Sequence, residues 1–135
     1  MISPTDALQR AMHAALAADS GVAALVGPRI YDRVPSDAAS PYLEFGEFQR
    51  IDDSVDCIAG SEFYVTLHGW SDAYGSIEAM QLAGAAVDAL DRVDLDLAPD
   101  HRLVEIMFES ERIMDDPNGV TTHAVLVFRA LTEPV

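Results

Sequence analysis

The chain has 135 residues, the length of one ordinary domain, and with half of them hydrophobic and 23% charged it can bury a core without disulfide or metal staples. Eight cationic side chains, none of them Lys, oppose 23 Asp and Glu, leaving a formal net charge of −15. Phosphate binders need clustered cations; here Arg10, Arg29, Arg33, Arg50, Arg92, Arg102, Arg112 and Arg129 are scattered, which argues against stable binding of DNA or of an anionic membrane.

The first predicted element is a helix opened by Ser3-Pro4-Thr5-Asp6, with Ser3 as N-cap, Pro4 at the first helical position and the Asp6 carboxylate reaching back to the cap. Leu8, Met12, Ala15 and Leu16 recur at helical spacing, and Asp19-Ser20-Gly21 ends the run. A short second helix is expected over Val22 to Val26, stopped by Gly27-Pro28. Ile30-Tyr31 reads as a short strand, 35–41 as a polar loop, 42–48 as a strand and 50–60 as an acidic loop. Phe63, Val65 and Leu67 alternate with Tyr64, Thr66 and His68, a clear strand pattern.

Ser71-Asp72 is the expected cap of a helix over 73–90, with Ile77, Met80, Gln81, Gly84, Val87 and Leu90 near one face and, beside them, small Ala83, Ala85 and Ala86 that allow close packing on a sheet. Residues 93–99 form a connection. Val104, Ile106 and Phe108 then alternate with Glu105, Met107 and Glu109 in a strand over 103–112. Asp115-Asp116-Pro117-Asn118-Gly119 is a turn, so 120–131 returns as the second arm of a β-hairpin. The order α-α-β-β-α-β-β predicts one α+β domain over 1–135: a mostly antiparallel sheet with helices on one face and a C-terminal hairpin.

No catalytic constellation emerges. His13, His68, His101 and His123 lack the spacing of a metal site, although His68 and His123 fall in strands that can bring them together. A pair of sheet-face histidines is the simpler reading; the competing one is a small metal- or ligand-binding enzyme domain built on His68 and His123. Cys57 has no disulfide partner, which fits a reducing compartment, and its neighbours Asp52, Asp53 and Asp56 oppose a thiolate. The serines sit in no nucleophile elbow, the glycines in no phosphate-cradling loop, and the acidic runs in no calcium loop. The expectation is therefore a non-enzyme with no cofactor and no metal. The opening MISPTDALQR has no signal-peptide character, and no apolar run approaches the roughly 20 residues of a membrane span.

The segment Asp19-Ser20-Gly21-Val22-Ala23-Ala24-Leu25-Val26-Gly27-Pro28-Arg29-Ile30-Tyr31-Asp32, after an opening helix, resembles the start of the phage tail-completion, or tail-terminator, family. Pro41-Tyr42-Leu43-Glu44-Phe45-Gly46, His68-Gly69-Trp70-Ser71 with its alanine-rich helix, and Phe128-Arg129-Ala130 in the last strand continue the similarity over nearly the whole chain. Their order and spacing carry the resemblance, and all are fold-forming positions. The resemblance implies a homo-oligomeric ring, a hexamer, at the tail–head junction of a phage, a prophage product or a gene-transfer-agent particle, assembled in the bacterial cytoplasm. Its partners would be the tail-tube protein and the head connector or stopper; DNA would pass through without stable binding, and no membrane is involved. Another connector or tube subunit is the nearest alternative. Two sets of residues follow as candidates: Asp52, Asp53, Asp56, Asp115 and Asp116 as a phosphate-repelling lumen, with solvated outer loops as the alternative, and Tyr42, Phe45, Met107 and Leu126, in the strand at 42–48 or the 103–131 hairpin, whose edge would join subunits.

Overall fold

The computed structural model describes residues 1–135. Helix α1 (Pro4–Ala18) starts as expected, with the Ser3 hydroxyl accepting the Asp6 N–H at 3.1 Å. The Asp6 carboxylate does not reach back to the cap; it turns outward to Arg10 one turn on, at 2.6 Å. Asp19 closes α1 and opens α2 (Ser20–Val26), its carboxylate accepting the Val22 N–H at 2.9 Å. One acidic side chain thus sets the corner between two helices, and the second helix begins two residues before Val22.

Five strands form one sheet in the order β1-β2-β3-β5-β4: β1 (Ile30–Tyr31), β2 (Tyr42–Asp52), β3 (Ser61–Ser71), β4 (His101–Asp115) and β5 (Thr122–Pro134). Only β1 is parallel to its neighbour; the rest is antiparallel. Strand β2 runs to Asp52, so Arg50, Ile51 and Asp52 belong to the sheet rather than to an acidic loop. The β4–β5 hairpin is present and longer than expected, turning at Asp116–Thr121, where the Asn118 side-chain oxygen accepts the N–H groups of Val120 and Thr121.

Strand β3 shows why the sheet has two unlike faces. Ser61, Phe63, Val65, Leu67, Gly69 and Ser71 are buried, and the residues between them are half-buried. The buried parity continues through Leu43 and Phe45 of β2, Ala124, Leu126, Phe128 and Ala130 of β5 and Ile106 of β4. With Leu8, Met12, Leu16, Val22, Val26, Leu82 and Leu90 they form a core cluster of 24 residues beneath the helices.

Helix α3 (Ile77–Leu90) starts later than expected, and its small residues pack on the sheet as expected. Ser71 ends β3, where its hydroxyl donates to Glu78 at 2.8 Å, and the helix begins only after Ser76. The side turned to the sheet is the alanine side, Ala79, Leu82, Ala83, Ala86, Ala89 and Leu90; Ile77 and Met80 face out, 69% and 50% exposed. Close approach explains the choice: a Cβ on Gly69 would lie 3.2 Å from Leu82 Cδ2, so this helix sits on the sheet at a distance only small side chains permit.

Candidate functional site

Three surfaces stand out because nothing in the subunit covers them. The first is the helix-free face of the sheet. On it, Trp70 and His123 stack with ring centroids 3.8 Å apart and planes 8° from parallel. His68 Nδ1 lies 2.7 Å from His123 Nε2, and Trp70 Nε1 donates to Glu44 at 3.0 Å. The strand registers place these four groups side by side: Glu44 opposes His68, and Trp70 opposes His123. Gly46 makes room, since a Cβ there would meet His68 Nε2 at 2.5 Å. Burial pushes both histidines below the usual imidazole range; His68 also lowers His123, while Glu44 opposes the shift in each. Further along the face, Arg129 donates to Glu62 at 2.6 Å and lies 3.4 Å from Glu105. The hydrogen bond to Glu62 raises the Arg129 pKa further.

As chemistry, the histidine pair is a hydrogen-bonded couple. No group of three or more His, Cys, Asp or Glu is placed to hold a metal, and none of the four surface cavities is lined by either histidine. Cys57 is exposed in a tight turn closed by reciprocal Val55–Ile58 backbone bonds, beside Asp56 at φ 53°.

The second surface is the pair of free sheet edges. Beyond Glu44, β2 has lost its short partner β1, and its end from Glu47 is open. On the far side β4 is the edge strand. Asp91 and Arg92 cover its middle, through Phe108 N–H to Asp91 Oδ1 at 2.8 Å and Arg92 N–H to Ile106 O at 2.9 Å, but not its end from Glu109 onward. The third is a group of exposed apolar side chains at one end of the molecule: Tyr74 and Val120, which line a mostly polar cavity, and Ile77 and Met80 on the first turn of α3. Asp72, Asp115 and Asp116 stand close by, with Thr121 Oγ1 donating to Asp72 at 2.8 Å.

The proposed contact residues divide. Phe45 and Leu126 are 5% and 1% exposed, part of the subunit's own core, and offer nothing to a neighbour; their apolar character served the helix-bearing face. Tyr42 and Met107 are half-buried on the other face. The acidic candidates lie in two places. Asp52, at the end of β2, and Asp53 and Asp56, in the following turn, stand at one end of the strands; Asp115 and Asp116 stand at the other. The sequence points to the strand at 42–48 and the 103–131 hairpin, but which stretches of them lie free depends on strand order.

The chain is matched over residues 10–133 by the model of a family described as tail completion protein gp17. No curated protein matches it in sequence. Among solved structures, it is similar to a chain in the virion of a native gene transfer agent particle, at 33% identity and a TM-score of 0.90, covering 98% of this chain and 99% of that one.

Proposed function

The chain belongs to the tail completion protein gp17 family, and from that premise we propose that it is a structural subunit of a phage or phage-like particle that forms a ring, a hexamer, between tail tube and head. The ring caps the last layer of tube protein, ends its polymerisation and presents its opposite side to the head connector. The observation that carries this reading is the near-complete similarity to a virion chain of a gene transfer agent particle, combined with surfaces suited to assembly. A ring subunit needs lateral contacts and axial ones. Free strand edges on both sides of the sheet suit the first, and the patch of Tyr74, Ile77, Met80 and Val120 suits the second.

The acidic residues fit a passage for DNA. A carboxylate-rich rim repels phosphate and keeps DNA from sticking in transit. Because Asp52, Asp53 and Asp56 lie at the opposite end of the strands from Asp115 and Asp116, the ring would carry two acidic rims rather than one continuous wall.

Polymerising the cognate tube protein with and without this chain tests the reading. Tubes should grow without limit alone and stop, capped at one end, when the chain is added. Tubes that grow unchecked past the added chain would refute it.

A further inference from the structure

The two free edges are complementary in direction, face and charge. All pairings from β2 to β4 are antiparallel, so β4 runs opposite to β2. A second copy placed edge to edge therefore continues the antiparallel alternation. The inward hydrogen bonds fix which backbone groups point outward. Asp53 N–H donates to Gly60 O and Asp116 N–H to Thr121 O. By strand alternation, Phe48, Arg50 and Asp52 on β2, and Glu111, Ile113 and Asp115 on β4, direct their N–H and C=O groups away from the sheet. On both edges those residues carry their side chains on the helix-bearing face: Phe48 and Arg50 oppose buried Val65 and Phe63, and Glu111 and Ile113 oppose buried Leu126 and Ala124. Backbone pairing between the edges thus keeps the helices of neighbouring copies on one side.

We infer that residues 110–114 of one copy pair with 47–51 of the next, in the register Glu111 opposite Arg50 and Ile113 opposite Phe48, so that the sheet runs on from subunit to subunit. This inference rests on the ring reading above and names its lateral contact. The register joins an exposed carboxylate to an exposed guanidinium and adds Ile113 to Phe48, both already packed against the core margin. Self-pairing of β4 edges instead sets Glu109, Glu111 and Asp115 against one another, and a two-fold contact does not propagate into a ring. In the head-to-tail register only Glu109 meets a like charge, Asp52, which ends the pairing there.

The geometry also staggers the copies. Through Leu126 and Leu67, Glu111 is level with Phe45 of its own sheet, yet it meets the neighbour's Arg50. Discounting the β2 bulge, that step is about 13–17 Å along the strand over about 19 Å of strand spacings. It corresponds to a tilt of roughly 35–40°, the value that closed arrays of tilted strands adopt.

Arg50→Cys with Glu111→Cys, in a Cys57→Ser background, tests the contact in assembled tails. Hydrogen-bonded antiparallel partners lie about 5.5 Å apart at Cα, within disulfide reach. Positions 50 and 111 lie on opposite edges of one sheet, so a bond between them joins two copies. Oxidation should give a ladder of covalent oligomers up to the ring, and Arg50→Cys with Asp115→Cys should give none. Glu111→Arg should abolish rings and Arg50→Glu should restore them in combination; thermal melting of each exposed-site variant confirms that it folds. Intact rings with no ladder and no charge effect would overturn the edge pairing while leaving the ring standing. No ring in tails containing the wild-type chain would overturn both.

Discussion

At the scale of single residues, the cluster of Trp70, His68, His123 and Glu44 is the most organised group on the helix-free face. Two neutral imidazoles share one hydrogen bond, and Trp70 is held between His123 and the Glu44 carboxylate. A proton on each ring would break that bond and set two cations side by side. Burial dominates in both; Glu44 favours protonation of each ring, and at His123 alone Asp116 favours it while Arg112 disfavours it. Both folded-state values lie below the unfolded one, so the unfolded chain binds more protons as pH falls. The stabilisation is therefore complete above the ordinary imidazole value of 6.5 and is lost as pH falls through the lowered values. Acid also relieves repulsion in a chain of net charge −15, so the comparison must be differential. Between about pH 8 and about pH 5, His123→Phe, which keeps the ring stack, should lose less thermal stability than the wild type. Parallel melting curves across that interval would remove the histidine pair from the account.

At the scale of elements, the lesson lies in α3. Its sequence offers two stripes, one with Ile77 and Met80 and one of alanines small enough to pack closely on a sheet. The sheet takes the second: Gly69 leaves room for the helix to lie so close that Leu82 and the alanines fill the interface. Strand periodicity was more legible: the two-residue alternation of β3 stands in the chain as folded, and the hairpin turns close to the expected Asp115–Gly119, at Asp116–Thr121. Less legible was the end of β2, where Arg50 and Asp52 look like loop residues because an edge strand leaves both sides exposed. Since Ile77 and Met80 carry no part of the core, Ile77→Asp should leave the melting temperature within a few degrees of the wild type. In the same variant, capping of the tube should fall at least about tenfold, as burial of a charge at an apolar contact demands. Unchanged capping would place the axial contact elsewhere.

At the scale of the whole molecule, the features form a consistent division of labour. One sheet face and three helices hold the core, and the edges, the apolar side chains at the start of α3 and the acidic ends of the strands lie outside it. The fold class, the helices on one face and the family were legible in the sequence, because core patterning and the order of Gly, Pro and aromatic positions are local. The surfaces were not, because strand order and helix orientation arise only when distant segments meet; Phe45 and Leu126 look like contact residues until the sheet turns them inward.

Locating the chain in purified particles by electron microscopy, with a tag on the exposed C-terminal Val135, tests the central claim most directly. A single labelled ring at the head-proximal end of each tail is the expected result. Label distributed along the tube, or particles that hold none of the chain, would contradict it.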